Sequence, residues 1–331
     1  MNNFDSGPLW QLHDVSLAGE TSPRLDCVSL KIPVGVTAII GYSGAGKTSL
    51  LNLLAALEIP DSGSIAASPA AQEQTAPFSL PTYWVPQSAG LWSHFRAEQH
   101  LEAVQAGGIG QNSPQSRESA DNWLARFDLS ERRQAYPGQL SRGEQSRLSV
   151  ARALAANPAV LLMDEPLAHV DPVRTPQYWS VIREHLATTG ASLVFSTHEP
   201  AVAIQESDHV ICLKNGSVTA TGLTSEMYHN PPSCEVARFL GPINWFAAGD
   251  AAMWLGTECA TAAGDVGLRP ENIHLTDNKD GAFEILSFRF GGSYAETLLE
   301  HRASSQVRTI IHRPVGSAHH EGQTVGLEVI S

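Results

Sequence analysis

"VTAIIGYSGAGKTSLLNLL", Val36 to Leu54, is the stretch that decides the fold. A short β-branched run is followed by a glycine-rich segment, and a helical pattern continues from Lys47 to about Leu57. This order predicts a buried strand, a tight loop and a helix. Gly41 to Thr48 also fits Gly-x-x-x-x-Gly-Lys-Ser/Thr, a pattern typical of loops that bind phosphate groups.

The residue types of this loop indicate its chemistry. Glycines let successive backbone N–H groups surround phosphate oxygens, and the amino end of the helix adds partial positive charge. We expect Lys47 to contact the β- and γ-phosphates of a nucleotide and the Thr48 hydroxyl to ligate Mg²⁺. The predicted nucleotide-binding residues here are Gly41, Tyr42, Ser43, Gly44, Ala45, Gly46, Lys47, Thr48 and Ser49.

A second apolar run, "AVLLMDE" from Ala159, predicts a buried strand that ends in two acidic residues. A carboxylate at Asp164 is costly to bury without a partner, so we expect it to bind the metal ion. Glu165 is expected to accept a proton from an attacking water, and His198 to contact the γ-phosphate. The alternative for the acidic pair alone is a solvated strand end, but the phosphate-binding loop favours the catalytic interpretation.

The stretch "QLSRGEQSRLSVARAL", Gln139 to Leu154, predicts a helix with an unusual start. Apolar residues keep helical spacing in its second half. Ser141, Gly143 and two arginines crowd its amino end, where backbone N–H groups have no partner within the helix. Such an end is suited to an anion.

Together these motifs resemble those of the ATP-binding-cassette (ABC) ATPases. "LSRGEQ" is similar to the family signature, usually Leu-Ser-Gly-Gly-Gln, and Gln87 in "YWVPQSAG" is similar to the Q-loop glutamine. Asp171 in "AHVDP" matches the D-loop, and His198 matches the switch histidine. The resemblance implies ATP and Mg²⁺ as ligands. It also implies nucleotide contacts from Gln87, Ser141, Arg142, Gly143, Glu144 and Asp171, and metal ligation by Thr48, Gln87 and Asp164.

The resemblance also accounts for the open helix start. In this family two ATPase domains associate head to tail, so that the signature of one covers the γ-phosphate held by the other. Ser141 and the N–H of Gly143 would then form half of an intermolecular site. One cassette per chain implies a second ATPase subunit, with a homodimer as the expected assembly.

The pattern along the chain predicts two domains. Alternating strand and helix segments over residues 1–240 indicate an α/β domain with a helical insertion over about residues 88–140, and the resemblance implies that this domain is a P-loop NTPase of the ABC type. Asn215-Gly216 between two alternating runs predicts a hairpin. Residues 241–331 contain strand-like pieces at short spacing, which predict a small all-β, OB-like domain. "FLGPINWF", "GLRPENIHL" and "FRFGGSYAETLL" resemble parts of the TOBE barrel of importer subunits.

The composition limits the possible partners. With a net charge of −13 and four lysines, the chain is a poor nucleic-acid binder, which argues against a cassette ATPase that acts on DNA or ribosomes. No window reaches the length of about 18 to 20 apolar residues that a membrane-spanning helix needs. The four cysteines lack the paired spacing of a zinc site or a disulfide framework.

The resemblance is nearest to ATPase subunits of importers for maltose-type sugars, polyamines, sulfate, molybdate or ferric iron. It implies a peripheral position at the cytoplasmic face of the cell membrane and a transmembrane permease as partner. A short permease helix would enter the aromatic-rich groove near Gln87, unless those rings are ordinary core. An extracytoplasmic solute-binding protein would act indirectly. An ABC exporter ATPase and a catalytically weak regulatory ABC subunit stay open as alternatives.

Three positions depart from the family pattern. Ala18 stands where an aromatic residue normally stacks on adenine, which predicts weaker ATP binding unless a nearby ring such as Trp10 substitutes. Arg142 replaces a glycine of the signature, where it either points into solvent or adds a contact to the partner's phosphate. Glu144 replaces a glutamine, and an acid in a first helical turn is locally favourable.

Overall fold

The structure is a computed structural model that describes residues 7–73, 80–106, 119–256, 264–314 and 319–330. The chain divides into two compact units, Met1–Thr224 and Ser225–Ser331. This division falls before residue 240, where the sequence predicts the domain boundary; that boundary and the extent of the helical insertion stay predictions. No helix among the described residues is long and apolar enough to cross a membrane.

The first unit has strands in two sheets. They are β1 (Trp10–Leu17), β2 (Leu25–Ile32), β3 (Val36–Ile40), β4 (Ser62–Ala67), β5 (Leu80–Val85), β6 (Pro158–Asp164), β7 (Ser192–Thr197), β8 (His209–Lys214) and β9 (Ser217–Leu223). The helices are α1 (Lys47–Leu54), α2 (Pro69–Gln72), α3 (Ala97–Ala106), α4 (Ala120–Arg126), α5 (Arg142–Ala155), α6 (Thr175–Thr189) and α7 (Pro200–Glu206). The next helix, α8 (Thr224–His229), begins at the last residue of the first unit and continues into the second.

The larger sheet has the order β5-β6-β7-β3-β8-β9. The neighbouring strands β5, β6, β7, β3 and β8 pair in parallel. Every residue of β6 and β7 is buried, as their continuous apolar sequences predict. β9 returns antiparallel to β8 through Asn215 and Gly216, whose φ angles of 48° and 82° suit the predicted tight hairpin. The carboxyl ends of β3 and β6 are thereby held on one edge of the sheet.

The smaller sheet is antiparallel, in the order β2-β1-β4. Its buried side chains pack with those of α1 and the larger sheet into one core, which includes Leu12, Leu25, Leu50, Val160 and Leu213. This packing fixes α1, and with it the glycine-rich loop, against the ends of the parallel strands.

The region between β5 and β6 is helical where the structure describes it, as the sequence predicts. Trp123, Leu124 and Phe127 are buried, and the Phe127 ring stacks on Tyr178 of α6 with centroids 5.7 Å apart. The polar stretch "GGIGQNSPQS" at 107–116 lies outside the described residues.

The second unit is a five-stranded antiparallel sheet with added helices. It contains α9 (Cys234–Phe239), β10 (Asn244–Phe246), α10 (Ala248–Leu255), β11 (Val266–Leu268), β12 (Ile273–Asp277), β13 (Phe283–Phe290), β14 (Ala295–His301), β15 (Gln306–His312) and β16 (Thr324–Val329). The sheet order is β12-β16-β13-β14-β15. The predicted strands are present, while α10 interrupts the all-β pattern because its Ala251, Trp254 and Leu255 pack into the core of the sheet.

Candidate functional site

The glycine-rich loop has the backbone that a phosphate cradle needs. It joins β3 to α1, and Gly44 and Gly46 adopt φ angles of +79° and +104°, which strain other residues. Gly46 is the N-cap of α1, and no side-chain hydrogen bond caps the start of this helix. The first N–H groups of α1 therefore keep their capacity to bind an anion.

Lys47 and Thr48 project from the start of α1 into the predicted site. The Lys47 side chain is buried, and its Nζ donates to the carbonyl oxygens of Gly41 at 2.9 Å and Tyr42 at 3.3 Å. The Thr48 hydroxyl donates to Asp164 Oδ2 at 2.7 Å. The loop and the end of β6 are thus joined directly.

Asp164 and Glu165 are positioned by a residue that the sequence analysis missed. The Ser196 hydroxyl donates to Asp164 Oδ1 and accepts the backbone N–H of Glu165 at 3.0 Å. Ser196 pairs with Asp164 in the parallel register of β6 and β7. The signal available in the sequence was the polar "ST" that precedes His198 at the end of a buried strand.

The Glu165 carboxylate is held between two other predicted site residues. Gln87 Nε2 donates to Glu165 Oε2 at 3.1 Å, and His198 Nδ1 lies 3.2 Å from Glu165 Oε1. The backbone φ of Glu165 is +48°, a conformation that is strained for a residue with a side chain. Such strain at a carboxylate beside a phosphate cradle is typical of a functional site.

A cavity of about 320 Å³ lies between the glycine-rich loop and Glu165, while Asp164 and His198 do not line it. Gln87 and Glu165 line it together with loop residues, and one further residue, Arg24, belongs to its wall. The loop residues that line it are Ser43, Gly44, Ala45, Gly46, Lys47, Thr48 and Ser49. Ser141, Arg142, Gly143, Glu144 and Asp171 do not line this cavity.

The start of α5 is less open than the sequence predicts, because a reciprocal cap between Ser141 and Glu144 occupies part of it. Ser141 Oγ accepts the N–H of Glu144 at 3.2 Å, and Glu144 Oε2 accepts the N–H of Ser141 at 2.8 Å. Arg132 Nε donates to the second carboxylate oxygen of Glu144 at 2.9 Å. Partial burial raises the pKa of Glu144, but the hydrogen bonds from Ser141 and Arg132 outweigh it and leave that pKa below the usual value.

Arg142 and Gly143 follow the cap. The Arg142 side chain is exposed and forms no hydrogen bond or ion pair with another described residue. A Cβ on Gly143 would lie 2.7 Å from the carbonyl oxygen of His169, so glycine permits close contact with the segment before Asp171. Asp171 Oδ1 accepts the N–H of Val173 at 2.9 Å and shapes the turn into α6.

Arg152 ties α5 to the segment after Gln87. Its guanidinium donates to the carbonyl oxygens of Ala89 and Gly90 at 3.3 and 3.0 Å and lies 4.6 Å from the centroid of the Trp92 ring. Burial lowers the pKa of this arginine. These contacts join α5 to the segment that follows Gln87.

The structure rules out one substitute for the missing ring at Ala18. Trp10 is 2% exposed and packs in the core of the first unit, so it does not reach a nucleotide. Ala18 itself is exposed at the end of β1.

The site fits the ligands that its motifs imply. The hydroxyl of Thr48 and the buried carboxylate of Asp164 are hard oxygen donors of the kind Mg²⁺ prefers, and they lie 2.7 Å apart. The glycine cradle, the free amino end of α1 and the Lys47 cation are suited to a polyphosphate.

Comparisons with known proteins point to the family that the sequence motifs resemble. Residues 25–168 match the family model described as ABC transporter. The chain is 33% identical over 296 residues to the sulfate/thiosulfate import ATP-binding protein CysA of Brucella melitensis, covering 82% of this chain and 80% of that protein. It is 34% identical over 233 residues to the methionine import ATP-binding protein MetN of Leifsonia xyli, covering 68% of each.

Two further comparisons extend the agreement. The Fe(3+) ions import ATP-binding protein FbpC of Yersinia pestis is 28% identical over 359 residues, 97% of each chain. The dimeric ATP-binding cassette MJ0796, in a post-hydrolysis state with ADP and Pi, superposes with a TM-score of 0.55 at 25% identity. That match covers 65% of this chain and 98% of the MJ0796 chain.

Proposed function

Because the chain belongs to the ABC transporter family, we propose that it is the ATP-binding and ATP-hydrolysing subunit of an importer. The observation that carries this proposal is the convergence of Lys47, Thr48, Asp164, Glu165 and Gln87 around one phosphate cradle. The relatives named above are import proteins, which favours an importer over an exporter.

Each residue around the cradle has a role in this proposal. The loop N–H groups and Lys47 bind and orient the terminal phosphates, while Thr48, Asp164 and Gln87 hold Mg²⁺. Bound Mg²⁺ supplies positive charge against the phosphate oxygens. Glu165 orients the attacking water and accepts its proton, and His198 positions Glu165 and contacts the γ-phosphate.

The catalytically weak alternative is less well supported. Glu165 is present and contacts Gln87 and His198, which supports its proposed role as the proton acceptor. Arg142 lies in solvent and leaves the cap at Ser141 undisturbed.

The assembly proposed is a head-to-tail homodimer. Ser141, Arg142, Gly143, Glu144 and Asp171 do not line the cavity of their own chain, which supports their use by a second copy. MJ0796, a structural relative, is dimeric in its post-hydrolysis state. Closure of two such subunits would cover each terminal phosphate with the signature of the other.

A transmembrane permease is the proposed partner at the membrane, which would place this subunit at the cytoplasmic face. The rings near Gln87 form the proposed docking surface. Trp92 stacks on His100 and Arg152, yet 39% of it is exposed. The proposed docking surface is therefore partly buried and partly accessible. A solute-binding protein would act through the permease.

Two substitutions test the proposed function. Lys47→Ala should abolish ATP turnover because it removes the cation of the cradle. Glu165→Gln should keep ATP binding, stop turnover and leave an ATP-dependent dimer on size-exclusion chromatography. Lys31→Ala, an exposed lysine on β2, is the matched control and should behave as wild type. Undiminished hydrolysis by both site variants would refute the proposal.

A further inference from the structure

We propose that the guanidinium group of Arg24 is the surface on which the nucleobase of bound ATP stacks. This inference rests on the function proposed above and adds a residue that binds the base at the same site. Arg24 would thereby stack on the base in place of the aromatic ring that is absent at Ala18.

Arg24 lies directly against the phosphate cradle. It lines the same cavity as Gly44, Lys47 and Thr48. Its carbonyl oxygen would be 2.6 Å from a Cβ on Gly46, the N-cap of α1, so its backbone is packed onto the cradle. Gln87 and Glu165 gather around the end of the cavity proposed for the terminal phosphate, which leaves the Arg24 wall for the base and sugar.

The edge of the guanidinium is already occupied. Nε donates to the carbonyl oxygen of Ala18 at 3.0 Å, and both terminal nitrogens donate to the carboxylate of Glu58, one of them at 3.2 Å. Asn52 Nδ2 in turn donates to Glu58 at 2.8 Å. These bonds fix the plane of the group and leave its face as the available surface.

The face is suited to a base rather than to a phosphate. Glu58 balances the charge of Arg24 through a two-pronged pair, so little net attraction for an anion remains. A planar guanidinium stacks on aromatic rings, and the Arg24 side chain is 43% exposed. No ring of the described residues lies over it, whereas six other arginines do contact rings.

The test is equilibrium binding of Mg·ATP and of Mg·tripolyphosphate, which lacks a base, by isothermal titration calorimetry. Arg24→Ala should weaken ATP binding by about tenfold or more, the range for a base stacked on a side-chain platform, with tripolyphosphate affinity unchanged. Arg24→Lys should behave as Arg24→Ala because it keeps the charge but lacks the plane. Arg24→Tyr should restore ATP affinity because it supplies a ring.

Arg183→Ala is the matched control, because the Arg183 side chain is similarly exposed, at 51%, and pairs with a carboxylate, Glu206, but does not line the cavity. It should bind both ligands as wild type does. Unchanged ATP affinity in Arg24→Ala, full affinity in Arg24→Lys, or an equal loss for tripolyphosphate would overturn the inference. Failure of the wild type to bind ATP would instead refute the proposed function.

Discussion

Ser196 is the residue that links the proposed metal-binding carboxylate to the proposed catalytic glutamate. Its hydroxyl contacts both Asp164 and the backbone of Glu165. We predict that Ser196→Ala lowers kcat by about tenfold, since both groups lose a positioning contact. The free energy of unfolding should fall by about 1 to 2 kcal/mol because a buried hydrogen bond is lost.

The matched control for this change is Ser192→Ala. Ser192 lies on the same strand, is also buried, and accepts the N–H of Gly35 at 3.2 Å, at the end opposite the site. It should lower stability by a similar amount and leave kcat unchanged. If steady-state kinetics show equal losses for the two variants, Ser196 has only a structural role.

His185 makes the stability of the first unit depend on pH. Burial, with a smaller effect of Arg126, lowers the pKa of His185 to about 4 from 6.5, and its Nε2 has no hydrogen-bond partner. The unfolded chain therefore binds a proton between these values that the folded chain excludes, so stability is full above pH 6.5 and falls below it.

We predict that His185→Phe reduces the fall in thermal unfolding midpoint between pH 7 and pH 5. Phenylalanine keeps the ring contact with Trp123, whose centroid is 5.9 Å away, and does not titrate. His312, whose pKa burial also lowers to about 4, keeps a dependence of the same sign in the second unit. A midpoint that falls as steeply in the variant as in wild type would contradict this assignment.

Sequence reasoning reached the residues that a local pattern identifies and missed those whose partners are distant. Lys47, Thr48 and Asp164 belong to motifs, and the structure brings them together. Ser196 and Arg24 have no motif of their own. Their contacts depend on strand register and on a loop that is distant in sequence, so only the folded chain reveals them.

At the scale of the element, the stability of the start of α5 depends on the carboxylate of Glu144. We predict that Glu144→Ala lowers the free energy of unfolding by about 1 kcal/mol at pH 7, as expected for half of a capping box. The pKa of Glu144 is below 4.5, so its contribution is present above that pH and is lost as pH falls through the lowered pKa.

The measurement is denaturant unfolding of Glu144→Ala and wild type at pH 7 and in acid. The difference between them should shrink in acid, where the wild-type carboxylate is protonated. Glu226→Ala, an exposed acid in the first turn of α8, is the control. An equal difference at both pH values would mean that Glu144 acts through packing rather than through its charge.

The elements with strong local signals could be predicted from the sequence, and others could not. Buried β6 and β7 and the hairpin at Asn215-Gly216 follow from composition and turn chemistry. The helix α1 ends at Leu54 rather than near Leu57, because the core covers its apolar face only that far and Leu57 is 60% exposed. The helix α10 escaped prediction because its alanine-rich stretch is short and lies among strand-like pieces.

At the scale of the whole molecule, the proposed head-to-tail dimer gives each chain two half-sites for one reaction. In this proposal the cavity lined by Lys47 and Glu165 binds the nucleotide, and the exposed cap at Ser141, which does not line that cavity, faces the nucleotide of the second copy. Because the cradle and the signature are separate on one chain, a complete site forms only when two copies associate. This arrangement stays a prediction from the family pattern, because no property of a single chain specifies its partner.

The most direct test of this account is subunit complementation between Lys47→Ala, which damages the cradle, and Ser141→Arg, which places bulk and charge on the exposed cap. Each variant alone should lack ATPase activity. In mixed dimers one site combines the intact cradle of one chain with the intact signature of the other, so mixing equal amounts should restore about a quarter of wild-type turnover. Absence of any restored activity, with mixed dimers shown to form, would contradict the claim that the two chains share each site.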